Sequence, residues 1–155
     1  MTGTNSKIVN HLNNVLSDKL ASINRYFLHA RILKHMDFME LADHEYKESI
    51  QQMKHADKLI ERILSIGGTP DLLEYGKITI GSTVEEILKS DLAVEEASHT
   101  HLKLAISEAN SANDKGTSDL LNGILESKEE RISFISSQLN LIDTSSLHKY
   151  LQVQS

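Results

Sequence analysis

Apolar residues recur at spacings of three and four through most of the chain. Ile8, Leu12, Val15, Leu16, Leu20, Ile23 and Phe27 form the first such run and predict a helix from about Asn5 to His35. A second run predicts a helix from about Met39 to Ile66, where Gly67-Gly68 followed by Pro70 supplies a stop signal. Residues 67–82, GGTPDLLEYGKITIGS, hold four of the seven glycines and the single proline, and read as an extended connection. A link of this length predicts that helices two and three are parallel neighbours joined by a crossover, because antiparallel neighbours need only a short turn. Ser82 with Glu85 and Thr83 with Glu86 give overlapping capping signals for a third helix, which Ile87, Leu88, Leu92, Val94 and Leu102 carry to about Ala109. The stretch NSANDKG (110–116) interrupts the period, and a fourth helix covers about Thr117 to Leu141. DTSS (143–146) then caps a final short helix, LHKYLQV. No repeat, low-complexity tract or second domain is visible. The expectation is all-α: a four-helix bundle over residues 1–155 as one domain, with a long crossover between helices two and three and a short C-terminal fifth helix.

Composition narrows the function classes. The chain has 155 residues, enough to bury a core without disulfides or metal staples. A net charge of −6 argues against nucleic acid as the main partner. Cysteine is absent, which excludes disulfides and thiolate metal sites. The opening MTGTNSKIVNHLNN has no apolar signal core, and no apolar run approaches the roughly 18 residues needed to span a membrane. The expected address is the cytoplasm.

The most informative stretch is QQMKHAD (51–57). Gln52 and His55 stand three apart and share one helix face, while Met53 points nearly the opposite way. A Glu-x-x-His pair on such a face is half of a di-iron site in a helical bundle. Here the acid is replaced by an amide.

INRYFLHAR (23–31), ESIQQMKHADKLIERIL (48–64), SDLAVE (90–95) and LHKYLQ (147–152) resemble bacterioferritin, in order and across essentially the whole chain. The resemblance implies a ferritin-like bundle, a 24-subunit hollow cage storing ferric mineral, a di-iron ferroxidase site inside each bundle, and one b-type haem between each two subunits. It also implies which positions hold iron. The family pattern takes a Glu from the first helix, Glu-x-x-His from the second, a Glu from the third and Glu-x-x-His from the fourth, because hard oxygen ligands neutralise two cations. At those positions this chain carries Lys19, Gln52 and His55, Glu95, and Lys128 and Arg131. Three cations stand against one carboxylate. Two unit charges about 4 Å apart interact by about 4 kcal/mol at an effective dielectric of 20, so an incoming divalent ion meets several such repulsions. A one-residue slip that brings Glu129 or Glu130 into register competes with this alignment, but the apolar frame of Leu121, Ile124, Leu125, Ile132, Ile135 and Leu139 supports the ungapped reading. The expectation is therefore no di-iron centre. Instead, a salt-bridge pocket is expected in which Lys19, Lys128 and Arg131 bridge Glu95, with Glu48 and Asp91 as further compensation.

On the other face, Tyr46, Ile50, Met53, Asp57 and Ile60 recur at three and four, and Leu20, Ile23, Asn24 and Phe27 form a comparable stripe on the first helix. Periodicity alone assigns Met53 to interface packing. The resemblance assigns it to the axial haem ligand, with Leu20, Ile23, Asn24, Phe27, Tyr46 and Ile50 as pocket neighbours. The remaining candidates are weaker. His11, His29, His35, His44 and His148 read as surface or interface residues, and His99 and His101 do not assemble a metal cluster. The family's cavity-wall iron ligands correspond to Lys47 and Gln51, so that route is also lost, and without iron neither Tyr26 nor Asp57 has an evident redox role. The functional expectation is a haem-binding, ferroxidase-inactive cage subunit that assembles with a ferroxidase-competent paralogue and whose haem passes electrons to the ferric core for iron release, with an electron-donor protein as a candidate partner. The alternatives are a purely structural shell subunit without haem, and a ferroxidase with unconventional ligands.

Overall fold

In a computed structural model, which describes residues 3–71, 78–145 and 147–154, the chain forms five helices. α1 spans Gly3–His35, α2 Met39–Ser65, α3 Val84–Ser111, α4 Lys115–Thr144 and α5 Leu147–Gln154. Local chemistry sets the boundaries. Asp37 turns α1 into α2 at φ 66°, and Asn113 turns α3 into α4 at φ 54°, residue types that tolerate the left-handed region. The expected break at 110–116 is thus only three residues long, because the Asp114 side chain accepts from the Thr117 N–H and starts α4 early. α2 ends as expected: Gly67 takes φ 82° and the Gly68 N–H returns to the Ile63 carbonyl at 2.9 Å. At the start of α3, Thr83 accepts from the Glu86 N–H, while the Glu86 carboxylate reaches back to Ser82.

The crossover connects opposite ends of the bundle. Asn13 near the start of α1 holds Thr69 and Asp71, whereas His29 near its far end accepts from the Gly81 N–H. α3 runs antiparallel to α1, since His29 meets Asp91 and Asp18 meets His101. α2 and α3 are therefore parallel, but they are not neighbours: among the described residues no Cα of one comes within 8 Å of the other. They occupy one diagonal of the bundle, with α1 and α4 each packed against both. The middle of the crossover, residues 72–77, lies outside the described residues, as does the side chain of His148.

Two apolar clusters hold the bundle. One is built around Leu12, Leu16, Leu59, Ile63, Leu102 and Leu121, the other around Leu33, Leu41, Ile87, Leu88 and Ile135. Between them the helices bury a polar layer, and this layer is the site.

Candidate functional site

Each long helix contributes polar side chains at core spacing. α1 supplies Lys19, Ser22, Arg25, Tyr26 and His29; α2 supplies Glu45, Ser49, Gln52 and His55; α3 supplies Asp91, Glu95 and Ser98; α4 supplies Lys128 and Arg131. All are buried, so the period that elsewhere places leucine in the core here places charge. All six family-pattern positions, Lys19, Gln52, His55, Glu95, Lys128 and Arg131, lie in this layer and are no more than 5% exposed. Glu129 and Glu130 are exposed, as the ungapped alignment requires.

Glu95 is fully engaged. Its Oε2 receives Lys128 Nζ at 2.6 Å and its Oε1 receives the Tyr26 hydroxyl at 2.6 Å. Lys128 also donates to Ser98 Oγ at 2.6 Å. Arg131 does not bridge Glu95, contrary to expectation. Its Nη2 pairs with Glu45 and stands 3.6 Å from Asp91, while its guanidinium covers the Tyr26 ring at 4.8 Å. The reason is reach: Arg131 lies one turn beyond Lys128, level with the next acids along the bundle. Lys19 makes no direct ion pair with Glu95 either. Glu45 escaped the sequence reading because it belongs to none of the iron-ligand positions. Its spacing of seven from Gln52 on the same core face was the available signal.

His29 corrects another expectation. It is fully buried rather than superficial, donating from Nδ1 to Asp91 at 2.9 Å and accepting at Nε2 from Gly81 at 3.1 Å. His29, Glu45 and Asp91 bring possible metal-ligand atoms within 4.8 Å of one another. Arg25, 3.7 Å from Asp91, and Arg131 already supply that cluster's countercharge. Elsewhere, His101 pairs with Asp18 at 2.7 Å on the surface, exposed His44 stacks on Phe134, and exposed Lys47 pairs with Asp43. Gln51 bonds His55 at 2.9 Å.

Burial and charge set the protonation states. Burial, then the neighbouring Lys128, brings the Lys19 ammonium down to about 8. Burial brings His55 to about 4, with Lys19 adding to the shift, so its imidazole is neutral at pH 7. Burial likewise holds His29 to about 4. Burial alone would raise the Glu95 carboxyl, but Lys128, Lys19 and the Tyr26 hydrogen bond hold it below its ordinary value. Burial raises Glu45 and Asp91 in spite of Arg131.

The opposite face of α1 and α2 is apolar and open. Met53 is 51% exposed, Phe27 and Tyr46 are each 48% exposed, and Leu20, Ile23 and Ile50 are partly buried beside them. Asn24 is exposed and donates to the Leu20 carbonyl. At one end of this stripe a cavity of about 380 Å³ is lined by Phe27, Ala30, Arg31, Met39, Ala42 and Tyr46, among others.

Comparison with known proteins places this architecture. The ferritin-like domain family matches residues 9–145. A Mycobacterium tuberculosis bacterioferritin is 36% identical over 132 residues, covering 85% of this chain and 83% of the relative. A Brucella melitensis bacterioferritin is 33% identical over 149 residues, covering 96% and 92%. The chain belongs to the bacterioferritin family. A Streptomyces coelicolor bacterioferritin, 31% identical over 137 residues, extends the likeness further. Within the bacterioferritin frame, the chain thus combines a cation-filled bundle centre with an open apolar face carrying Met53. Among the described residues, no helix is long and apolar enough to cross a membrane.

Proposed function

We propose that this bacterioferritin-family chain is an iron-storage cage subunit that lacks ferroxidase chemistry and carries haem. The residues at the bundle centre do not fit a pair of ferrous ions. The one carboxylate at the six positions has both oxygens committed, to Lys128 and to Tyr26. That double commitment is the observation that carries the reading. Hard-cation sites need several free carboxylate oxygens, whereas here ammonium and guanidinium groups occupy the space and supply the countercharge. The salt-bridge layer does electrostatically what a metal pair does in a catalytic subunit: it holds four polar helix faces together.

The outer face does fit haem. The Met53 thioether would hold the haem iron as a soft ligand, with Met53 of a second copy completing the pair. Leu20, Ile23, Phe27 and Ile50 would shield the porphyrin from water, and Asn24 and Tyr46 would offer it polar atoms. Bound haem would supply one-electron transfer, and Met53 together with burial sets its potential. The subunit then contributes shell and an electron path to the ferric mineral, in a 24-subunit cage shared with a ferroxidase-competent paralogue and served by a donor protein in the cytoplasm.

The test is a homopolymer purified after expression with haem supplementation and soaked in Fe²⁺ as crystals. Haem absorbance at about one per two subunits and no metal at Glu95 and His55 are expected. Two iron peaks there would overturn the ferroxidase-inactive reading, and a haem-free protein the haem reading.

A further inference from the structure

Glu45 on α2 and Asp91 on α3 are fully buried, and each has one oxygen without a hydrogen-bond donor among the described residues: Glu45 Oε1 and Asp91 Oδ2. Two shared neighbours place the carboxyls side by side. Arg131 Nη2 pairs with Glu45 Oε2 and stands 3.6 Å from Asp91 Oδ2. His29 Nδ1 lies 2.9 Å from Asp91 Oδ1 and 3.8 Å from Glu45 Oε1. Oxygens of the two acids come within 4.8 Å of each other, and the side chains interact as a hydrogen-bonded pair. Ionised carboxylates only accept, so a bond between two of them requires a proton on one. Neither guanidinium replaces it. Arg25 gives Nη2 to Ser22 and stays 3.7 Å from Asp91 Oδ1, and Arg131 engages Glu45 through the other oxygen. A metal ion does not replace it either. The Gly81 N–H can only donate, so His29 Nε2 accepts and the ring proton sits on Nδ1, donating to Asp91. Both ring nitrogens are spent, and two carboxylates alone would have to hold a cation beside Arg25 and Arg131.

We propose that Glu45 and Asp91 share one proton at neutral pH, carried by Glu45 and donated to Asp91, and that this bond ties α2 to α3 across the bundle diagonal. One proton satisfies the donor-less oxygens of both acids, which would otherwise stay buried and unpaired at a cost to stability. Asp91 is the better anion of the two, because it accepts from His29 and faces both guanidiniums. Burial favours the neutral form of each acid, and once they interact the proton belongs to the pair. The titratable and charged groups facing the pair are Arg25, Tyr26 and His29 from α1, Glu95 from α3, Arg131 from α4 and Tyr150 from α5. Among the described residues no Cα of α2 comes within 8 Å of α3, so this side-chain bond reaches where the backbones do not. The proton thus makes the diagonal of the bundle sensitive to pH: its removal leaves two bare carboxylates facing each other.

A neutron crystal structure of the full chain at neutral pH reads the proton directly and needs no variant. One deuteron between Glu45 and Asp91 is expected, with another on His29 Nδ1 and none on Nε2. Two bare carboxylates, or a water or cation between them, would overturn the proposal. Solution measurements check the same proton through its charge. Glu45→Gln places a neutral amide that still donates to Asp91. Above about pH 5.5 the unfolded acids have lost their protons while the folded pair keeps one, so the parent's folding equilibrium constant is expected to fall about tenfold per pH unit relative to Glu45→Gln. Parallel profiles would show both acids ionised in the folded chain and would also overturn the proposal. Asp91→Asn removes the anion that His29 and the guanidiniums face, and is expected to cost more stability than Glu45→Gln. The reverse order would overturn the assignment of the proton to Glu45.

Discussion

The two faces of α2 carry opposite chemistry, one buried and charged, the other exposed and apolar. Gln52 and His55 are buried in the bundle, where the six positions compared above hold the cations Lys19, Lys128 and Arg131 against the single carboxylate of Glu95. Met53, between them in sequence, lies in an open apolar stripe with Phe27 and Tyr46. The contrast teaches that a buried face can carry cations when they find acids, while an exposed face carries apolar side chains that no part of the described chain covers. Lys128 meets Glu95 at 2.6 Å and Arg131 meets Glu45, so the incoming cations found acids to pair with. A buried charge without a partner costs several kcal/mol, and the layer avoids that cost almost throughout.

Converting the inner face back would have the largest effect. The combined variant Lys19→Glu, Gln52→Glu, Lys128→Glu and Arg131→His restores the full six-ligand pattern. Rapid, stoichiometric Fe²⁺ oxidation under oxygen is expected where the parent shows only background. A variant that folds and binds no iron would show that positions outside the six also block the site. On the outer face, Met53→Leu is expected to lower haem content at least about tenfold, a loss of about 1.4 kcal/mol in affinity, while apo-protein stability changes by less than about 0.5 kcal/mol. Absorbance and denaturant titration read the two effects separately. Unchanged haem content would return Met53 to simple packing.

Arg131→Met addresses the inner layer alone. It removes the guanidinium that pairs with Glu45, while Asp91 keeps Arg25 and His29, and is expected to cost about 3 kcal/mol in urea titration. A cost below about 1 kcal/mol would mean that the two acids simply take up protons, as their raised pKa values permit. A smaller effect follows from His55. Its folded pKa is about 4, below the ordinary value of 6.5, so the unfolded chain binds the proton first on acidification. The parent is therefore expected to lose about 1–3 kcal/mol relative to His55→Gln as pH falls from 6.5 towards 4, with no difference above that window. Parallel pH profiles would show that His55 is solvated.

The helices and their order were legible because the long ones carry an apolar period of 3.6 and the first three end in Asp37, Gly67 and Asn113 at turns. The diagonal placement of α2 and α3 was not, since a long connection reports parallel direction but not which helix lies between. The charged identity of the inner positions was plain from Lys19, Lys128 and Arg131. Their pairing was not. Helix spacing places Arg131 on the right face without saying whether its long side chain reaches Glu95 or the acids one turn away. His29 was misread for a related reason: a lone histidine in sequence shows neither Asp91 nor the Gly81 amide, both supplied by distant segments.

Stopped-flow oxidation of Fe²⁺ by the haem-loaded homopolymer, free of any sister subunit, reaches the heart of the matter. Cationic side chains already hold the room and the countercharge of a di-iron pair, so the expected trace lacks a fast phase and shows only slow, surface-limited oxidation. A fast phase saturating at two irons per subunit would contradict the account.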